Sequence, residues 1–150
     1  MKPTPVIIEV ALNGATQKSK NPNTPKSVDE LTADALECLS AGAHIVHQHD
    51  DLGGTSMLGG TSSEQMAAQS AAFYRRVLAE VPDALLYPTS NWPGDIKARW
   101  SHQIKLCEDG LVRMAYVDPG SVNISVTGDD GLPRVEGSLI YAHSYADIAW

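Results

Sequence analysis

Strand-like and helix-like patterns alternate along this chain about every 35 residues, and this alternation restricts the possible folds more than any other feature. Apolar runs of strand length occupy residues 6–12, 43–49, 84–88 and 111–117. Parallel strands in one sheet need long crossover connections, which are nearly always right-handed and place helices against the sheet. The sequence therefore predicts four parallel strands covered by helices. Beyond them, residues 122–126 alternate only weakly and 128–133 read as a loop.

Helix starts are marked by their capping residues. Ser27 with Glu30, and Ser62 with Gln65, have the spacing of capping boxes, and Asp95 begins a third helix. Ser144 is expected to cap a last helix that starts at Tyr145. The predicted buried faces are Val28, Leu31, Ala35, Cys38 and Leu39 in the first helix, Met66, Ala67, Phe73, Val77 and Leu78 in the second, and Ile96, Trp100, Ile104 and Cys107 in the third.

Two α/β architectures fit this order, half of a (βα)8 TIM barrel or a small doubly wound sheet. The Gly-x-Gly-x-x-Gly fingerprint of dinucleotide folds does not follow the first strand, and the sequence has no phosphate-binding Gly-Lys-Ser/Thr loop. Polar residues instead follow every predicted strand: Asn13 and Thr16, His47 and His49, Thr89 and Ser90, then Asp118 and Ser121. This spread favours the barrel, with residues 1–150 as a single domain that covers about its first four βα units.

Composition excludes several classes of partner. Eleven Lys and Arg against eighteen Asp and Glu give a formal charge of −7, which argues against nucleic acid or an anionic membrane surface. No apolar run approaches the roughly 20 residues of a membrane helix, and the N-terminus has no signal-peptide core. Cys38 and Cys107 are interpreted as reduced, buried thiols of a cytoplasmic protein, although a disulfide remains open.

His47 and His49 are the first candidate ligands. On a strand they point to the same face with Cα atoms about 6–7 Å apart, so both imidazoles can reach one zinc ion. The alternative is two histidines at a strand end that form local hydrogen bonds or face solvent, because His-x-His alone is a weak motif.

Other polar residues of the strands and their ends are candidates for the same site. Glu9, in a nearly apolar strand, is either a carboxylate that supports the site or a structural partner for a cation inside the barrel. Asn13 is a candidate site amide. Thr89 and Ser90 are candidates to bind a substrate through their hydroxyls, and an ordinary turn that caps the next helix is the alternative for Ser90.

The remaining titratable residues near these motifs have simpler expected roles. Asp50 and Asp51 could orient the imidazoles, but beside a Gly-Gly pair they are interpreted as solvated loop residues. His44 is expected on the opposite face of the strand from His47, in a structural role. His102 and His143 have no evident partner nearby in sequence.

Three segments together resemble the β-keto acid cleavage enzymes, typified by 3-keto-5-aminohexanoate cleavage enzyme. They are Ile-Ile-Glu-Val-Ala-Leu-Asn-Gly-Ala-Thr at the first strand, the Asn-Pro-Asn-Thr-Pro loop at 21–25, and Ala-Gly-Ala-His-Ile-Val-His-Gln-His at 41–49. Residues 114–123 also resemble the family's fourth strand and its exit. The likeness runs through essentially the whole chain, and the family is nearly twice this length.

The resemblance implies a zinc-dependent TIM barrel of amino acid catabolism, and a homo-oligomer. A β-keto acid and acetyl-CoA would give acetoacetate and a new acyl-CoA. It maps two zinc ligands onto His47 and His49, and expects the third, a Glu near a catalytic Asp, from strands beyond Trp150. Tyr116 stands where some members carry a substrate-contacting Thr, and Thr16 where some carry an acid. These departures bear on the substrate side chain more than on zinc.

Two alternatives remain at this point. A different divalent-metal aldolase or hydrolase on the same barrel would not depend on acetyl-CoA. A half-barrel without the third zinc ligand would be inactive, and its two exposed edge strands would promote self-association.

Overall fold

A computed structural model of the chain describes residues 4–50, 62–91 and 94–149. The chain divides into two compact units, Met1–Ala115 and Tyr116–Trp150. Strands and helices alternate through the first unit, as predicted. Its elements in order are β1 (Glu9–Ala11), α1 (Val28–Ser40), β2 (Ile45–Gln48), α2 (Ser63–Glu80), β3 (Leu85–Pro88) and α3 (Ile96–Glu108).

The three strands of the first unit form one parallel sheet in the order β1-β2-β3. Ala11 on β1 lies opposite His47 on β2, and His47 lies opposite Tyr87 on β3. Glu9 lies opposite Ile45, and each of them is two residues earlier on its strand and on the same face. Because side chains alternate between the faces of a strand, this register brings Glu9, His47 and Tyr87 to one side of the sheet.

The hydrophobic core lies on the other side of this sheet, under the helices. Val46 and Leu86 are fully buried there against apolar side chains of α1 and α2. The buried faces predicted for these two helices are confirmed by Leu31, Ala35, Met66, Ala67, Phe73 and Val77. Burial of large apolar side chains at roughly 1.5–3 kcal/mol each is what holds the helices on the sheet.

The predicted helix starts are confirmed because they depend on local hydrogen bonds. Ser27 Oγ accepts from the Glu30 N–H at 3.2 Å, and the Glu30 carboxylate accepts from the Ser27 N–H at 2.9 Å. Ser62 and Gln65 repeat this capping box at the start of α2. The carboxylate of Asp95 accepts from the Ala98 N–H at 2.9 Å and caps α3.

The buried face predicted for α3 is wrong. Ile104 is 42% exposed, and the residues that α3 buries are His102, Gln103 and Leu106. Leu106 packs into the core, and the His102 imidazole bonds to the chain leaving β3. These two contacts fix the rotation of the helix about its axis, so Ile104 is turned toward the outside. Cys107 is exposed, so its predicted burial is also wrong, although both cysteines are free thiols.

The predicted fourth strand is wrong as well. Residues 111–117 form no strand in the structure, and Val112 alone among them is buried. The Leu111 N–H donates to the Leu106 carbonyl at 2.9 Å, so the start of this run is used to end α3. An apolar run becomes a strand only when a neighbour takes up its backbone hydrogen bonds.

The second unit contains an antiparallel hairpin instead. Its strands are β4 (Val122–Thr127) and β5 (Pro133–Tyr141), with Val122 opposite Tyr141 and an irregularity between Ile124 and Val126. Gly131 has φ 78°, and the turn closes through the Gly128 N–H to the Leu132 carbonyl at 2.8 Å. A short helix, α4 (Tyr145–Ala149), follows, and Ser144 caps it as predicted.

Within the three described ranges, no helix is both long and apolar enough to cross a membrane.

Candidate metal centre

His47 and His49 lie on the face of the sheet that carries Glu9 and Tyr87 and points away from the helices, here called the open face. Strand alternation predicts this position. Their ring centroids are 5.1 Å apart and the ring planes meet at 76°. Both side chains are half-buried, at the carboxyl end of β2. Two imidazoles at this separation can each turn one ring nitrogen toward a shared ion.

The hydrogen bond of His47 determines which of its nitrogens could bind a metal. Nδ1 lies 3.2 Å from the Tyr87 carbonyl oxygen, and because a carbonyl only accepts, Nδ1 carries the proton. Nε2 of the neutral ring then keeps its lone pair. Burial lowers the pKa of His47 below its ordinary value, against the Tyr87 hydrogen bond and the charge of Glu9, which raise it. A neutral imidazole whose other nitrogen is tied to a backbone carbonyl is the usual state of a metal-binding histidine.

Tyr87 is a site residue that the sequence did not reveal. Its ring stacks on the His47 ring with centroids 4.5 Å apart and planes 29° from parallel. Its hydroxyl donates a hydrogen bond to the Glu9 carboxylate, two strands away. Glu9 thus faces the site, as one of its two predicted roles requires. Tyr87 stands at an open-face position of β3, but only the sheet register shows that it meets His47.

Asn13 binds the backbone of His49. Its Oδ1 accepts from the His49 N–H at 2.8 Å, and its Nδ2 donates to the His49 carbonyl at 2.9 Å. Nδ2 also donates to the Pro25 carbonyl at 3.3 Å. The buried amide therefore joins the end of β1 to the end of β2. Its predicted contact with substrate stays a prediction.

Thr89 and Ser90 lie half-buried where the chain leaves β3. The Thr89 N–H donates to the Gln48 carbonyl at 2.9 Å, and the Thr89 carbonyl accepts from His102 Nε2 at 2.7 Å. His102, for which no partner was expected, therefore fastens α3 to this segment. Burial lowers the pKa of His102, so the ring is neutral and donates through Nε2. The two predicted hydroxyls are held at the same edge of the sheet as His49.

The interpretation of Asp50 as a solvated loop residue is wrong. It is 1% exposed, and its Oδ1 accepts from Ser70 Oγ at 2.6 Å and from Gln48 Nε2 at 3.4 Å. Gln48 Oε1 in turn accepts from the Tyr74 hydroxyl at 2.7 Å. Burial raises the pKa of Asp50 to about 7, against the two hydrogen bonds. The sequence could not show this because the closer donor, Ser70, lies on α2, 20 residues along the chain. Asp51 lies outside the described residues.

The other predicted residues lie apart from this constellation or in the second unit. His44 is exposed and accepts a hydrogen bond from the Ile8 N–H at 3.2 Å, a structural role. Tyr116 is half-buried in the second unit, and its predicted contact with substrate stays a prediction. His143, in the same unit, meets the edge of the Tyr141 ring at 4.7 Å between centroids.

The donor set fits part of a zinc site. Catalytic zinc sites commonly use three protein ligands, of which two imidazoles and one carboxylate are a known set. Among residues 4–50, 62–91 and 94–149 no group of three His, Cys, Asp or Glu side chains is placed to hold a metal ion. The described residues therefore offer two imidazoles, and a complete site needs a further ligand.

Comparison with known proteins agrees with the motifs. The family model described as beta-keto acid cleavage enzyme matches residues 5–150. No curated protein matches the chain. The family match spans both units of the structure, including the strands that carry His47, His49 and Tyr87. The chain belongs to the β-keto acid cleavage enzyme family.

Proposed function

We propose that this chain takes part in zinc-dependent cleavage of a β-keto acid with acetyl-CoA, which yields acetoacetate and a new acyl-CoA. One observation carries the zinc assignment. The rings of His47 and His49 share the open face of the sheet, and the Nδ1–H of His47 is held on the Tyr87 carbonyl, which leaves Nε2 as the nitrogen with the lone pair. Family membership supplies the reaction class.

We propose that the sheet of the first unit is part of a (βα)8 barrel, of which β1, β2 and β3 with their helices form the first three βα units. The exposed apolar side chains before β1 support this, since Val6 and Ile7 are 73% and 72% exposed. Within the described residues, β1 and β3 each pair along one edge only. Further strands that close a barrel would cover these edges and apolar side chains. The third zinc ligand, a Glu beside a catalytic Asp, would come from those strands.

The residues of this chain divide the work as follows. His47 and His49 would hold the metal through imidazole nitrogens, and Asn13 fixes the His49 backbone. Bound zinc would act as a Lewis acid on the keto acid's oxygen atoms and favour the enolate that C–C cleavage produces. Thr89 and Ser90, at the same edge of the sheet, would donate hydrogen bonds to the substrate carboxylate.

A direct test is turnover of a panel of β-keto acids with and without acetyl-CoA in the complete, zinc-loaded enzyme. We expect acyl-CoA formation that requires both acetyl-CoA and the His47 imidazole. His47→Ala should abolish it, and His44→Ala, which removes an exposed imidazole outside the site, should retain it. Turnover that is independent of acetyl-CoA would contradict the proposal and favour an aldolase or hydrolase on the same framework. We also expect the enzyme to be a homo-oligomer. Size-exclusion chromatography with light scattering measures its oligomeric state.

A further inference from the structure

Tyr87 reaches across the sheet to a strand that is not its neighbour. It lies on β3, Glu9 lies on β1, and β2 runs between them. Neighbouring strands are about 4.8 Å apart, so the two backbones are separated by about 10 Å. The hydrogen bond from the Tyr87 hydroxyl to Glu9 therefore requires the tyrosine ring to lie over β2. In the sheet register, the residue of β2 opposite Tyr87 is His47.

The His47 ring consequently rests on a surface that Tyr87 provides. The two rings stack at 4.5 Å, and the backbone carbonyl of the same tyrosine accepts a hydrogen bond from the Nδ1–H of His47. The stacking limits the tilt of the imidazole, and the hydrogen bond limits its rotation and selects its tautomer. Tyr87 is 7% exposed, so its own side chain has little freedom once the hydroxyl is bonded.

We propose that Tyr87, held in place by Glu9, is a positioning residue that fixes the ring plane of His47 and directs Nε2 toward the metal. This rests on the proposed function in one respect, that His47 is a zinc ligand. It assigns a role to the Glu9 carboxylate, which accepts the tyrosine hydroxyl and thereby keeps the stacked ring over β2. Supporting contacts of this kind change metal affinity by about 10–100-fold when they are removed.

Tyr74 provides a matched control. It is also a buried tyrosine whose hydroxyl donates to one acceptor, Gln48 Oε1 at 2.7 Å, but it belongs to α2 under the opposite face of the sheet. Loss of the Tyr74 hydroxyl leaves the buried Gln48 amide oxygen without this donor, at a cost of about 1–3 kcal/mol in stability, whereas loss of the Tyr87 hydroxyl leaves the exposed Glu9 carboxylate to solvent. If the two tyrosines have the same, purely structural role, Tyr87→Phe and Tyr74→Phe should alter zinc binding equally.

The experiment measures zinc alone, by competition with a chromophoric chelator, for the parent chain, Tyr87→Phe, Tyr74→Phe, Glu9→Gln and Glu9→Ala. We expect Tyr87→Phe to weaken zinc binding by at least about tenfold and Tyr74→Phe to leave it within about twofold. Glu9→Gln, which keeps an oxygen acceptor for the hydroxyl, should retain more affinity than Glu9→Ala. Unchanged affinity in Tyr87→Phe, or equal losses in both tyrosine variants, would overturn the proposal.

A second readout separates this inference from the zinc assignment. In the metal-free chain, ¹⁵N shifts of the His47 ring report its tautomer, and nuclear Overhauser effects to the residue 87 ring report the stacking. We expect the Nδ1–H tautomer and a defined stack in the parent chain, and loss of the defined ring position in Tyr87→Phe. If the parent chain and the complete enzyme bind no zinc, the proposed function fails, and an unaltered His47 ring in Tyr87→Phe would still refute the positioning role.

Discussion

Asn13 holds His49 by two hydrogen bonds, one to its N–H at 2.8 Å and one to its carbonyl at 2.9 Å. The pairing of β1 with β2 ends at Ala11 and His47. Beyond it, the Asn13 side-chain amide takes the place of backbone hydrogen bonds to His49. Since both bonds go to the backbone, they set the position of the His49 Cα without occupying the imidazole. The two candidate ligands are therefore fixed by different means, His47 through its ring and His49 through its main chain.

Replacement of Asn13 should loosen His49. We expect Asn13→Ala to cost about 1–3 kcal/mol in stability, because it leaves buried backbone groups without partners. Zinc affinity should fall by about 10–100-fold because the main chain of His49 is no longer held in position. Chemical denaturation and chelator competition measure the two effects. Asn23→Ala, at an exposed asparagine of the neighbouring loop, is the control and should change neither stability nor zinc affinity. Equal effects of the two variants would show that the hydrogen bonds from Asn13 to His49 are unimportant.

The buried Asp50 predicts a specific pH dependence. Its pKa is about 7 in the folded chain and near 3.8 when unfolded, so between these values the folded state binds the extra proton. Stability should then fall as pH rises from about 4 to 7, by up to about 1.4 kcal/mol per pH unit from this group. Asp50→Asn should lack this contribution. The lowered pKa values of His47 and His102 act in the opposite direction below pH 6.5, so the difference between variant and parent is the quantity to measure.

Denaturant titrations of the metal-free parent and Asp50→Asn at pH 5, 6, 7 and 8 test this. The stability of the variant relative to the parent should rise with pH up to about 7 and then level off. A constant difference across the series would mean that Asp50 titrates at its ordinary pKa.

Two neighbouring buried polar residues of α3 should respond in opposite ways. His102→Leu removes the donor to the Thr89 carbonyl and should cost about 1–3 kcal/mol. Gln103 is 4% exposed, and within the described part of the chain neither atom of its amide has a hydrogen-bond partner. Gln103→Met keeps its volume and should be neutral or stabilising.

The same pair tests whether α3 positions the substrate hydroxyls. In the complete enzyme, His102→Leu should raise KM for the β-keto acid more than it lowers kcat, because Thr89 and Ser90 lose their support. Gln103→Met should leave both constants unchanged. Thermal unfolding and steady-state kinetics give the two readouts, and equal effects of both variants on KM would contradict this role of His102.

Sequence reasoning succeeded where the information is local. The capping boxes of Ser27 and Ser62, and the two-residue period that places His47 and His49 on one face, depend on residues within one turn or one strand. Such patterns can be read without knowledge of the fold. Family membership followed from short motifs of the same kind.

Sequence reasoning failed where a partner lies far along the chain. The burial of Asp50 depends on Ser70, and the contact of Tyr87 with Glu9 spans 78 residues. Residues 111–117 have strand composition but no strand pairing, and composition does not report pairing. The β4–β5 hairpin did have a signal in the sequence, because Gly-Asp-Asp-Gly at 128–131 is typical of the turn between two paired strands.

Zinc binding by the two histidines is the central claim, and metal analysis tests it most directly. The parent chain, His47→Ala, His49→Ala and His44→Ala are titrated with zinc after chelator treatment, and the complete enzyme is analysed for bound metal. We expect about one zinc per complete site, loss of binding in either ligand variant, and parental binding in His44→Ala. A complete enzyme without zinc, or parental zinc binding in His47→Ala and His49→Ala, would contradict the account.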